Sequence, residues 1–196
     1  MTDLLPHTTQ PITNEDDTAS YEMRAWMELV KDYIGGRGEF GFLDYNDTST
    51  SISPVSVVSN VWTDLPNNGL GAFTNKNYRP PGVSEVLNTS TGYLDFTQLS
   101  LGSEIIVRND FTVTPSTNNA LLEARYLLGD GAGQYPLQFW SERLDNGSGI
   151  GYQRVTSFPI YMGDTNTQLN PGRLQIRLST NGTVVNAGVY VSIRAA

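Results

Sequence analysis

The sequence predicts a mainly β protein: an antiparallel sandwich or barrel of about eight strands, preceded by an extended arm and one helix. Three observations carry this. The stretch "GSEIIVRNDFTVTP", Gly102 to Pro115, places Ile105, Val107, Phe111 and Val113 on one face and Arg108, Asp110, Thr112 and Thr114 on the other. Period-two alternation held this long marks a half-buried strand. From Ser51 to the C-terminus, short apolar-alternating runs are separated by clusters of Gly, Pro, Asn and Asp. Charged residues make up only 16% of the chain, against about 25% in typical domains, and Ser, Thr, Asn and Gly fill the difference.

Residues 1–17, "MTDLLPHTTQPITNEDD", hold two prolines and no period, and read as an extended arm. "TASYEMRAWMELVKDYIGG" then reads as a helix. Met23, Trp26, Met27, Val30 and Ile34 form one helical stripe, acidic residues precede its N-terminal end, and Gly35 and Gly36 stop it. The stripe packs either on its own domain or on a partner. Residues 1–36 are taken as arm and amphipathic helix, the glycine-rich 37–50 as a linker, and 51–196 as the β domain. Expected strands are "ISPVSVVSNVW", "GYLDFTQL", the stretch already quoted, "ALLEARYLLG", "LQFWSERL", "YQRVTSFPIYM", "RLQIRLS" and "TVVNAGVYVSIRA". Asn181-Gly182 reads as the turn of a hairpin joining the last two. In that hairpin Leu174, Ile176 and Leu178 would face Val185, Ala187, Val189, Val191 and Ile193.

Composition removes several functions. A net charge of −8 argues against a nucleic-acid partner. The chain has no cysteine and a single histidine, His7, so no thiolate site is expected and a His-based triad would have to use the arm. No apolar run is long enough to span a membrane, and no signal peptide is evident. "GDGAGQYP" lacks the Gly-Lys-Ser/Thr ending of a phosphate loop, and "DNGSG" lacks the glutamate of a calcium loop. Both read as turns. A distant pair of carboxylates could cleave glycosidic bonds, but none of the available Asp and Glu residues stands out. No enzyme activity, cofactor or metal is expected.

The runs "YLDFTQLSLGSEIIVRNDFTVTPSTNNALLEARYLLGDG" and "VYVSIRA" carry a resemblance. From about Ser51 to Ala196 the chain resembles the trimeric jelly-roll domains of tailed-phage virion proteins, akin to tumour-necrosis-factor-like heads. The resemblance implies a jelly-roll β-sandwich that forms a homotrimer. It implies a capsid decoration or cement protein stabilising the head shell of a virion assembled in the host cytoplasm, and it carries over no catalytic residues. The major capsid protein or another virion protein would be the partner. Leu4, Leu5, Ile12, Met23, Trp26, Met27, Val30 and Ile34 are the expected partner-binding residues. Arg108, Asp110, Thr112 and Thr114 are expected to face neighbouring subunits. The alternative is the receptor- or glycan-binding tip of a tail or head fibre, with Trp62 and Tyr78 stacking on cell-surface glycans.

Overall fold

A computed structural model describes Trp26, Met27, residues 40–145 and residues 147–196. The chain divides into two units, Met1–Gly38 and Glu39–Ala196. Of the first, Trp26 and Met27 are helical. Leu4, Leu5, Ile12, Met23, Val30 and Ile34 lie outside the described residues.

The second unit runs β1 (Phe40–Asn46), α1 (Ser49–Ile52), β2 (Val55–Val57), β3 (Thr63–Asp64), β4 (Leu87–Asn88) and β5 (Tyr93–Leu94). It continues with β6 (Glu104–Pro115), β7 (Ala120–Leu128), β8 (Tyr135–Leu144), β9 (Tyr152–Tyr161), α2 (Thr165–Leu169), β10 (Arg173–Leu178) and β11 (Gly182–Arg194). A five-stranded sheet has the order β1-β11-β6-β9, with β2 also on β11, and a four-stranded sheet has the order β3-β10-β7-β8. Among the long strands after β1, every step except β7–β8 crosses from one sheet to the other. Antiparallel pairing with this interleaving is the jelly-roll sandwich.

β6 is the strand its sequence predicts. Ile105, Val107, Phe111 and Val113 are buried in the core, and Arg108, Asp110, Thr112 and Thr114 point away from it. Asn109 occupies the middle of the inward face and is fully buried. It accepts a 2.7 Å hydrogen bond at Oδ1 from the Tyr126 hydroxyl on β7, tying the two sheets together inside the core.

Three expectations need correcting. The segment read as linker contains β1, which pairs with β11 along its whole length from Phe40↔Arg194 to Asn46↔Gly188. Leu43 and Tyr45 are buried in the core, a pattern masked in the sequence by Gly41 and by the polar Asp44. Asn181-Gly182 does not close a hairpin, because β10 and β11 belong to different sheets. The turn is a corner between layers: Asn181 Oδ1 accepts from Ser59 N–H, and its carbonyl accepts from Ser116 N–H. The third correction concerns the inward face of β11. A bulge at Asn186–Gly188 shifts the register, so Val184 and Asn186 are buried before it and Val189, Val191 and Ile193 after it. Val185 and Ala187 fall on the other face, since one extra residue reverses every later side chain.

The long connection from β3 to β6 is bound to the sheet rather than loose. Phe42 N–H donates to Tyr78 C=O, and Asp44 and Asn75 exchange backbone bonds, each at 2.8 Å. The connection thereby covers the edge of β1, where unpaired backbone groups would otherwise invite another strand.

At the other end of the sandwich, β8 and β9 lie at the margins of different sheets and are clipped together. Arg154 holds Glu142 bidentately, Nε to Oε2 at 2.6 Å and Nη2 to Oε1 at 2.7 Å, while Phe139 and Phe158 stack with centroids 4.3 Å apart. Arg154 holds the Glu142 carboxyl below its ordinary value of 4.5. The pair therefore adds stability above that pH and loses it as the pH falls through the lower folded value. Glu142→Gln is expected to cost about 1 kcal/mol at neutral pH. In a melting scan that is a drop of about 2–4 °C, and an unchanged Tm would show that the clip adds nothing.

Candidate functional site

The outer face of the five-stranded sheet is assembled from rows of paired residues. Phe40, Arg194, Glu104 and Tyr161 form one row. Phe42, Ser192, Ile106 and Pro159 form the next, followed by Asp44, Tyr190, Arg108 and Ser157. Asp110 pairs with Val155, and Thr112 with Gln153. The strands place these side chains together because every second residue of four antiparallel strands shares one face. Among the described residues no further layer covers this face, and Phe40, Ile106, Val155 and Tyr161 are exposed on it.

One aromatic ladder crosses it. Tyr78 stacks on Phe42 with centroids 5.0 Å apart and planes 21° from parallel. Phe42 lies 5.4 Å from Tyr190. The Arg108 guanidinium lies 5.6 Å from the Tyr190 ring, within cation–π reach. Asp44 stands in the same row as Arg108; burial raises its pKa, and the Arg108 charge partly offsets this. An outward carboxylate that has already lost some of its water, beside a cation and three rings, fits a surface that another protein can cover.

The structure thus brings together two expectations that the sequence kept apart. Arg108, offered as a subunit contact, and Tyr78, offered as a glycan contact, are the two ends of one ladder. Asp110, Thr112 and Thr114 continue the face, with Asp110 accepting a 3.2 Å hydrogen bond from Gln153 Nε2. Phe42 and Tyr190, the middle of the ladder, were missed. The signal was present in "FGFLDYN" and "VYVSIRA" as outward positions flanking buried ones, but their sharing a face depends on the β1–β11 register. Beside Tyr78 a shallow hollow of about 550 Å³ is lined by Asn77 and residues 79–84. Trp62 sits on the opposite side of the sandwich, over the outer face of the four-stranded sheet.

No protein-family model matches the chain, nor does any curated protein. The solved structures similar to it in part include the following three. The Eiger TNF of S. frugiperda is 11% identical over 81% of this chain and 94% of that one, with a TM-score of 0.39. The PRD1 vertex protein P5 is 18% identical over 82% and 99%, with a TM-score of 0.34. A chain of infectious bursal disease virus, Gt strain, is 10% identical over 81% and 51%, with a TM-score of 0.27. The jelly-roll assignment rests on the strand order alone. Among the described residues no helix is long and apolar enough to cross a membrane.

Proposed function

We propose that this chain is a structural protein of a tailed-phage virion, a decoration or cement protein that trimerises and stabilises the head shell. Its role is mechanical rather than catalytic. The observation that carries the reading is the outer face of the five-stranded sheet, where apolar and aromatic side chains lie open around paired polar ones. Packing three copies through this face would withdraw that surface from water at about 25 cal/mol per Å² of apolar area. The resemblance read from residues 93–131 and 189–195 supports the same assembly. The arm and helix, with the stripe Met23, Trp26, Met27, Val30 and Ile34, then dock on the shell, and three linked arms turn modest contacts into firm attachment.

Light scattering on the full chain is expected to give about three times 21.5 kDa. Ile106→Glu, which leaves the core untouched, is expected to give monomers. Removing residues 1–35 should keep the trimer and abolish capsid binding. A monomeric full chain would sink the trimer, and decoration by the truncated form would sink the anchoring role of the arm. A second reading, a receptor-binding tip, is favoured by Tyr78, which is 60% exposed at the rim of the hollow next to Arg79. Loss of a glycan-array signal on Tyr78→Ala would support it.

A further inference from the structure

The outer face of the four-stranded sheet carries a separate chemistry. Its register sets Arg125 beside Gln175, Gln175 beside Asp64, and Arg177 beside Glu123. Two arginines there have carboxylate partners. Arg177 Nε donates to Glu123 Oε2 at 2.7 Å, and Arg173 lies 3.8 Å from Asp64. Arg125 has none within ion-pair distance among the described residues. Its Nε donates to Gln175 Oε1 at 2.8 Å, and its guanidinium carbon lies 4.1 Å from the centre of the Trp62 ring. The Arg177 guanidinium lies 4.9 Å from the same ring.

These contacts have a directional consequence. A hydrogen bond at Nε and a stack against an indole fix the plane of the Arg125 guanidinium. Among the described residues, the two terminal amino groups, four N–H donors, have no acceptor. A planar fork held this way is the arrangement that binds a carboxylate through two parallel hydrogen bonds. The local charge favours an anion too, because among the described residues the guanidiniums of Arg125, Arg173 and Arg177 face two carboxylates, those of Asp64 and Glu123. Burial, then the charges of Arg177 and Arg173, depress the Arg125 pKa, with Asp64 partly compensating. A bound carboxylate would relieve that repulsion. Arg125 and Arg177 already lie against the Trp62 ring, so the half-buried indole offers a sugar ring the remaining exposed part of its apolar surface, and Gln138, exposed in the same row as Arg125, offers a group for a ring hydroxyl.

We propose that Arg125 and Trp62 form a binding site for a sugar bearing a carboxylate, with the carboxylate on the Arg125 fork and the sugar ring packed against the part of the indole that the two guanidiniums leave exposed. The site lies on the side of the sandwich opposite the proposed subunit face, so it does not depend on that assembly. It gives Trp62 the role of a platform for acidic rather than neutral glycans.

The test is an NMR titration of the full chain, following the Trp62 indole N–H and the Arg125 Nε–H. Sodium glucuronate, glucose and sodium acetate serve as probes. Glucuronate is expected to give saturable shifts at both groups and glucose none, with acetate binding at least about tenfold more weakly, a gap of about 1.4 kcal/mol. Arg125→Lys keeps the charge but loses the fork, and should weaken glucuronate by a similar factor. Failure of glucuronate to saturate, equal affinity for acetate, or unchanged affinity in Arg125→Lys would each overturn the proposal. The acetate comparison on the unaltered chain stands even if the variant fails to fold.

Discussion

Asp47→Ala is expected to lower stability by about 3 kcal/mol, seen as a drop of about 6–12 °C in Tm at fixed protein concentration. Asp47 is 5% exposed, and its carboxylate accepts four hydrogen bonds. Oδ1 takes Asn68 N–H at 2.8 Å and the Ser49 hydroxyl at 2.9 Å, while Oδ2 takes Thr50 N–H at 2.8 Å and the Thr50 hydroxyl at 2.7 Å. With its O–H donating to Asp47, the Thr50 hydroxyl oxygen accepts from Asn186 N–H at 2.7 Å. One carboxylate thus joins the end of β1, the start of α1, the loop at Asn68 and the bulge of β11. Alanine leaves the buried Thr50 N–H without its acceptor and removes the acceptor of the half-buried Asn68 N–H, and a buried unpaired polar group costs more than a made hydrogen bond returns. Asparagine should rescue poorly, because its amide nitrogen would face a donor.

The same site sets part of the acid response. Burial alone would raise the Asp47 pKa, but the hydrogen bonds from Asn68, Thr50 and Ser49 outweigh it and hold it below 3.8. The folded state therefore releases this proton more readily than the unfolded one. Stability from Asp47 is complete above about pH 4 and falls as the pH drops through the folded value. Asp44, with its raised pKa, works in the opposite sense and is relieved by protonation. Urea titrations from pH 5 down to pH 2 should show a shallower acid loss in Asp47→Ala than in the unaltered chain. Equal slopes, together with a loss under about 1 kcal/mol at neutral pH, would remove the network from the account.

The second large effect concerns the bond between the sheets. Tyr126→Phe is expected to cost about 2 kcal/mol, since it leaves Asn109 Oδ1 in the core without its donor. The Nδ2 of Asn109 already has no partner among the described residues. Adding Asn109→Leu to Tyr126→Phe should therefore recover most of the loss, because the pair becomes apolar and no polar atom is stranded. A double-mutant cycle by chemical denaturation measures this directly. If the double variant is less stable than Tyr126→Phe alone, the asparagine is held by packing and not by the tyrosine. Burial raises the Tyr126 pKa well above that of a free tyrosine, so the hydroxyl stays protonated and donating across the ordinary pH range.

Much of the fold is legible in the residues. β6 could be read to the individual side chain, because twelve alternating positions leave one way to bury the apolar set. β7 follows, with Leu122, Ala124 and Tyr126 inward as their spacing requires. The role of Asn109 was hidden, since a polar residue at an inward position reads as an interruption until Tyr126 is placed opposite it. β1 was lost among glycines, and the β11 bulge was signalled only by Gly188 within an alternating run. Asn181-Gly182 has good local chemistry for a hairpin, and the choice between hairpin and corner lay outside it.

By itself, the sequence determined which segments extend and which of their faces turn inward, because side-chain alternation is a local property of the strand. The tertiary structure decided which strands become neighbours, and with them both candidate surfaces. Phe42, Tyr78, Tyr190 and Arg108 form a ladder because β11 lies between β1 and β6. Arg125 meets Trp62 because β10 lies between β3 and β7. Strand order is settled by closing two sheets over one core, a balance of burial and chain connection in which every strand takes part, and no single stretch of sequence records it.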